Sequence, residues 1–325
     1  MGDIATTLPA CFGLTNVRAV KERGYFLCKT PDIAKIYKTQ ESHAAIRARY
    51  ALLMRLAEAG FAAAEKLCLS ERGDPYVQLG RETYVMARNA VGRDIDFDCN
   101  SDINLVMQTL AHFHNLARDI GLREIPVPEN NLPLTEVFAK NSSFLTSALK
   151  QTTKNSRISD FDVMFIKNFP KYIDYTARSI ELLTNTDYLA VYNTSLAAGH
   201  LCHNMLKEES FHIYEDTCFI TNFSDAAIDA QVTELASILH RYARRSKREI
   251  PICKLVQSYD RISPLPNTGT AIIHAYLMHP WQFEKITRQY YSKKRGWTPA
   301  AIMDRMADLL EAQESYDSYI GGLAK

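Results

Sequence analysis

The sequence predicts an α+β protein of two lobes, a small antiparallel-sheet lobe over residues 1–90 and a large, mostly helical lobe over residues 91–325. Three observations predict it. Residues 14–90 carry short β-rich runs around a single helical stretch. Beyond Gly92 apolar residues recur at helical spacing in one segment after another. Residues 201–224 alone interrupt that pattern with a strand and a loop. At 325 residues, with 46% hydrophobic and 23% charged, the chain can bury a large core, which excludes disordered and fibrous classes.

The first lobe opens with a strand-like run, Val17 to Val20, and a turn at Arg23-Gly24. Tyr25 to Lys29, a Pro31-Asp32 turn and Ile33 to Lys38 complete an antiparallel meander. A helix over residues 42–59 follows, because Ile46, Tyr50, Leu53 and Leu56 or Ala57 fall three or four apart and Gly60 stops the pattern. Two more strands are expected over 65–70 and 83–87, with Gly73-Asp74-Pro75 as a turn signal between them. In the second lobe the first helix spans 103–120, with Val106, Leu110 and Phe113 on one face. Pro126, Pro128 and Pro133 break the chain, and helices over 135–150 and 160–183 flank a polar strip at 151–156. After the loop come helical patterns over 233–245, 251–262, 270–278, 280–291 and 299–319.

A formal charge of +1 leaves no global field to hold a polyanion, so nucleic acid is not an expected partner. Seven cysteines without a C-x-x-C pair suit neither a disulfide framework nor a structural zinc site. The N-terminus has no basic region leading into an apolar stretch, and no segment reaches bilayer-spanning length, so synthesis in the cytoplasm without a membrane anchor is expected. Met1-Gly2 with Thr6 matches a myristoylation pattern so short that chance explains it.

The chemistry lies in residues 201–224. His203 begins the frame H-x-D-x-x-x-x-N of a phosphoryl-transfer loop, but Met205 stands where the proton-accepting Asp belongs and Ser210 where the metal-binding Asn belongs. Twelve residues after Ser210 a strand ends in D-F-x form as Asn222-Phe223-Ser224, with Asn222 in the position of the metal-ligand Asp. Phosphoryl transfer asks for in-line positioning and for charge compensation by magnesium held on anionic oxygens. Met205 cannot take a hydroxyl proton, and two neutral side chains replace the ligand pair. No catalytic residue is retained, and neither a metal nor a cofactor is expected.

Several separate stretches resemble one group, the CotS-like spore-coat proteins, a branch of the protein-kinase-like fold related to choline and aminoglycoside phosphotransferases. They are Arg23-Gly24-Tyr25-Phe26 into Lys29-Thr30, Leu56 to Gly60-Phe61, Val91-Gly92-Arg93-Asp94-Ile95-Asp96-Phe97, Leu110-Ala111-His112-Phe113-His114, Leu201-Cys202-His203, and Pro280-Trp281-Gln282-Phe283 with Tyr290-Tyr291 and Gly296-Trp297. Their order spans nearly the whole chain. The resemblance implies a bilobal kinase-like architecture, synthesis in the mother cell, assembly into the coat of a bacterial endospore, and other coat proteins as partners. Set against active members, Lys38 at the end of the third strand resembles the lysine that holds nucleotide phosphates. The following helix offers Arg47, Arg49, Met54 and Arg55 at its middle but no Glu to partner it, and the first hairpin lacks a G-x-G-x-x-G loop.

The leading expectation is therefore a catalytically inactive pseudokinase acting through its surfaces. Two alternatives stand beside it: an active small-molecule kinase whose metal and base have moved to Glu208, Glu209, Asp225 or Asp229, and a cleft around Met205 that holds a small-molecule ligand. His203 reads as a structural support of the loop. His112 and His114, two apart on a helix, point in different directions and suit packing better than a metal. The run His240 to Arg248 carries five basic residues, enough for a cationic patch, though such a run commonly ends a helix in solvent. The C-terminal aromatics, among them Trp281, Phe283, Tyr291 and Tyr316, fall at helical spacing and should fill a core.

Overall fold

A computed structural model describes residues 3–29, 33–118, 120–130, 132–154, 156–246, 250–292 and 298–321. The Pro31-Asp32 turn, Thr30, Asn155 of the polar strip, Lys247 and Arg248 of the basic run, and Gly296-Trp297 lie outside the described residues. Contacts divide the chain into one unit of residues 1–129, 195–231 and 258–264 and a second of residues 130–194, 232–257 and 265–325. This division differs from lobes meeting near residue 90. The stretch around the phosphoryl-transfer frame packs with the β-rich region because its strands pair there.

The first unit starts with helix α1 (Ile4–Cys11), capped by Asp3, whose carboxylate accepts from the Ala5 amide at 3.1 Å. Strands β1 (Val20–Lys21), β2 (Tyr25–Cys28) and β3 (Ala34–Thr39) form the expected meander, and helix α2 (His43–Glu58) follows from its Ser42 cap. Strands β4 (Lys66–Leu67), β5 (Val77–Leu79) and β6 (Glu82–Arg88) extend the sheet in the order β1-β2-β3-β6-β4, with β5 also on β6 and every pair antiparallel. Ala34 and Ile36 of β3 are buried in a cluster with Leu8, Phe12, Cys28 and Met86, so α1 covers that face of the sheet.

Strand β7 (Arg93–Asp94) and helix α3 (Asn100–Leu116) lead on, and β8 (Leu201–Cys202), β9 (Phe211–Tyr214), β10 (Thr217–Ile220) and β11 (Ala227–Ile228) complete the unit's strands. A second sheet runs β10-β9-β7, and β8 pairs with β11. Gly92 passes so close to β9 that an added Cβ would lie 2.6 Å from the Ile213 carbonyl oxygen. Ala64 bridges to Ile220 beside the Glu65 amide, which donates to the Ile220 carbonyl at 2.9 Å. That bridge carries Glu65 to the end of β10.

The second unit is built from helices α4 (Leu134–Thr152) and α5 (Asp160–Asn185), the first turns of α6 (Tyr188–Ala198), most of α7 (Gln231–Arg245) and of α8 (Ile252–Asp260), and α9 (Gly269–Met278), α10 (Trp281–Tyr291), α11 (Pro299–Glu311) and α12 (Gln313–Gly321). Its core stacks Phe165 and Tyr172 of α5 on Phe283 of α10, with Leu145 of α4 and Met306 of α11 in the same cluster. Phe283 and Tyr316 are buried, as the helical spacing of the aromatics predicts. Sequence reading missed α1, β5, β7, α6, β8, β9 and β11, and ran α11 and α12 together across Ala312. Among the described residues no helix is long and apolar enough to cross a membrane.

Candidate functional site

The site is assembled within the first unit from the turn after β8, the end of β10 and the inner side of α2. His203 follows β8 directly and is wholly buried. Its Nε2–H donates to the Thr221 carbonyl at 2.8 Å and its ring meets Phe223 edge-on at 4.8 Å, so the histidine splices the loop to the end of β10. This is the supporting part assigned to it from sequence. Asn204 takes the left-handed conformation at φ 69°, which Asn accepts more readily than most residues, and turns the chain so that Met205 is 40% exposed. Ser210 turns the opposite way. Its buried hydroxyl accepts from the Lys207 amide at 3.1 Å and donates to the Met205 carbonyl at 3.5 Å, bracing the loop instead of facing outward.

Asn222 is also left-handed, at φ 67°, and its side chain is exposed. Ser224 donates to the Asn222 Oδ1 at 3.1 Å and lies 3.1 Å from the Asp225 Oδ2, so amide, hydroxyl and carboxylate form one short polar row. Beneath them the backbone is clamped. Glu65 Oε1 accepts the amides of Asn222 at 3.0 Å and of Phe223 at 3.2 Å. The same oxygen lies 3.3 Å from Arg49 Nη1, and Arg49 also reaches the Tyr37 hydroxyl at 2.8 Å and Glu41 Oε2 at 2.8 Å.

Arg49 and Glu65 are both buried. Burial works against the Arg49 charge, but the oxygens of Tyr37, Glu65 and Glu41 outweigh it and raise the guanidinium pKa. Burial, aided by the Glu65 charge, raises the Tyr37 pKa. Helix α2 thus contributes an arginine where an acid was sought, and the acid comes from the segment before β4. Sequence reasoning missed this clamp. Its signal was present: Arg49 sits in the apolar stripe of Ile46, Leu53 and Leu56, and a charge on a buried face needs a buried counter-charge.

Lys38 lies near the end of β3, as its sequence position predicts, but on the face away from Arg49. A strand alternates faces, so Lys35, Tyr37 and Thr39 share the side toward Arg49, whereas Lys38 lies on the side of Ala34 and Ile36. There its ammonium pairs with Glu82 at 2.6 Å, both side chains about half exposed. The lysine on the clamp side is Lys35, whose ammonium lies 4.6 Å from the Tyr25 ring centroid. Burial lowers its pKa, against the pull of Glu65 and Asp94. Burial also lowers the pKa of His212, and the Lys35 charge adds to it.

Glu209 and Asp225 are exposed, and buried Asp229 accepts from the Ala230 amide at 2.7 Å, at the start of α7. Among the described residues no three of Glu208, Glu209, Asp225 and Asp229 gather into one ligand set. His114 is buried with Nδ1 2.6 Å from the Tyr259 hydroxyl, while His112 is exposed, the divergence expected of residues two apart. The arrangement offers a lysine, a rigid backbone and neutral oxygens, with the Glu65 carboxylate committed to Arg49 and the Asn222 and Phe223 amides and Asp225 exposed beside Ser224.

Solved structures show the class to which this architecture belongs, the kinase-like phosphotransferase fold. An aminoglycoside phosphotransferase from Alicyclobacillus acidocaldarius matches with a TM-score of 0.84 at 16% identity, over 94% of this chain and 91% of that one. A spectinomycin phosphotransferase solved with ADP and spectinomycin matches at TM-score 0.63 and 11% identity, over 94% and 93% of the two chains. A microcompartment-associated aminopropanol kinase matches at TM-score 0.60 and 11% identity, over 98% of each. At these identities the likeness is one of fold. The chain belongs to the family described as spore coat putative kinase YutH, which it matches over residues 7–323. Among curated proteins none matches it significantly.

Proposed function

We propose that the protein is a pseudokinase of the spore coat, a kinase-like fold that works through its surfaces alongside other coat proteins. One observation carries the loss of catalysis. The three positions that supply base and metal ligands hold the Met205 thioether, a Ser210 hydroxyl folded into its own loop, and an Asn222 amide oxygen already bonded by Ser224. Losing a general base alone costs roughly a hundred- to ten-thousand-fold in rate, and neutral oxygens hold magnesium far less well than carboxylates. The intact bracing by His203, Ser210 and Glu65 supports a fold kept rigid for another purpose. The family description supports the coat assignment. A thermal-shift titration with ATP and magnesium tests the reading: no metal-dependent stabilisation is expected, and one that Lys35→Ala abolishes would overturn it. Antibody detection of the protein in coat extracts of spores tests the location, and recovery from the spore core alone would count against it.

A second reading is favoured by the row Asn222, Ser224, Asp225, which sets a carboxylate beside the former metal position. In an active small-molecule kinase of this design, ATP consumption with sugars, amino alcohols or aminoglycosides would be lost in Asp225→Ala. If no such substrate stimulates consumption above the protein alone, the second reading fails.

A further inference from the structure

The basic run at the end of α7 does not simply dissolve into solvent. Ser237, His240, Arg241, Arg244 and Arg245 recur at three- and four-residue spacing, so they share one face of α7, and that face lines a cavity of about 580 Å³. Lys285, Arg288 and Arg305 line it from α10 and α11. Six cationic side chains therefore converge on one cavity, against a single carboxylate, Glu284, whose Oε1 is already taken by Arg288 Nε at 2.5 Å. The whole chain carries a formal charge of only +1, so this is a local concentration.

Arg244 is held in place from behind. Its guanidinium lies 3.5 Å from the Tyr316 ring centroid and Nη2 donates to Gln313 at 3.2 Å. Its Nε and Nη1, like Nε of Arg241, are buried with no protein acceptor. Buried guanidinium donors facing other cations are costly to leave without an anion. The surrounding potential also shows at His240, whose pKa burial and the Arg244 and Arg241 charges push down to about 3. Tyr276 and Trp281, ring centroids 4.8 Å apart, add an aromatic wall.

We propose that this cavity binds a small, multiply charged oxyanion of the phosphate class, such as a polyphosphate or a phosphorylated small molecule. Arginine forks match phosphate oxygens bidentately, and the volume lies within the range of small-molecule sites, roughly 300–1,000 Å³. All its residues belong to the second unit, so the proposal does not rest on the pseudokinase reading. The test is calorimetric titration of the full chain with pyrophosphate and tripolyphosphate, without magnesium, at about 0.15 M salt. One saturable site is expected. Arg241→Gln and Lys285→Gln should each weaken it about tenfold, and Lys35→Ala should leave it unchanged. Circular dichroism would show that these variants fold, and Arg244, packed on Tyr316, is left intact for that reason. Heats no larger than those of sodium chloride at equal ionic strength would overturn the proposal. So would an affinity unchanged in the Arg241→Gln/Lys285→Gln double variant, or one lost in Lys35→Ala.

Discussion

Arg49 and Glu65 hold the end of β10 against α2, and the strength of that hold follows from their burial. Removing one partner of a buried pair strands the other, at a cost of about 3–5 kcal/mol. Arg49→Met is therefore expected to lower unfolding stability by that order, measured by urea denaturation. Arg49→Met with Glu65→Met together should cost less than the two singles summed, and strict additivity would refute the pairing. His279 makes a different prediction. Its ring is buried, stacked on Phe138 at 3.8 Å, with the Asn141 amide donating to Nε2 at 3.1 Å. Burial depresses its pKa to about 3. An unfolded chain takes up this proton near pH 6.5 and the folded one only near pH 3, so stability is lost as pH falls through that window, about 2 kcal/mol by pH 5. Denaturation midpoints at pH 7 and pH 5 should converge in His279→Gln by that amount. A parallel pH dependence in wild type and variant would refute it. At this scale spacing alone singled out Met205, Ser210 and Asn222, because a loop frame is a matter of intervals along the chain. It did not reveal Glu65, which is distant in sequence from its partners, and it singled out Lys38, which lies on the opposite face of β3 from Lys35.

Elements were legible where a single face is buried. Helix α2 ends within a residue of its expected bounds because its stripe, its Ser42 cap and Gly60 agree. Helix α6 was missed because Tyr188 to Ala198 spreads apolar residues around the whole helix and leaves no stripe, and it is set off from α5 only by Asp187 at φ 50°. Helix α1, with two threonines and an internal Pro9, has weak propensity and forms over the sheet face it covers. Strand β7 is two residues long and depends on its partner β9. The close passage of Gly92 makes that dependence testable. A Cβ there would meet the Ile213 carbonyl oxygen at 2.6 Å, and backbone cannot swing aside as a flexible side chain can. Gly92→Ala is expected to destabilise by about 1–3 kcal/mol and to speed hydrogen exchange at the paired Arg93 and Ile213. Unchanged exchange at both amides would show that β7 does not need the contact.

Across the whole molecule the sequence carried the fold class and the family, because many weak matches in one order are specific together. The division by contacts was not legible, since β7 pairs with β9 and Glu65 reaches β10 across more than a hundred residues of chain. If the fold is an intact frame lacking only its anions, restoring them should restore metal-dependent nucleotide binding. Met205 is 40% exposed, so Met205→Asp places a carboxylate without burying it. Asn222 is exposed and left-handed, a conformation Asp also accepts, so Asn222→Asp is isosteric and tolerated. Ser210 is best left alone, because its hydroxyl is buried in the loop and an amide would overfill the space. The Met205→Asp/Asn222→Asp variant is expected to show a magnesium-dependent thermal shift with ATP, one that the pseudokinase reading denies to the natural protein, equivalent to about 2.7 kcal/mol when nucleotide reaches a hundred times its Kd. Glu65 and His203 already fix the backbone on which the new carboxylates would stand. A variant that folds but shows no such shift would mean that this site no longer grips nucleotide phosphates even with its anions restored. A shift already present in the natural protein would mean that Asn222 and its neighbours hold the metal unaided, and the pseudokinase reading would give way to the enzyme.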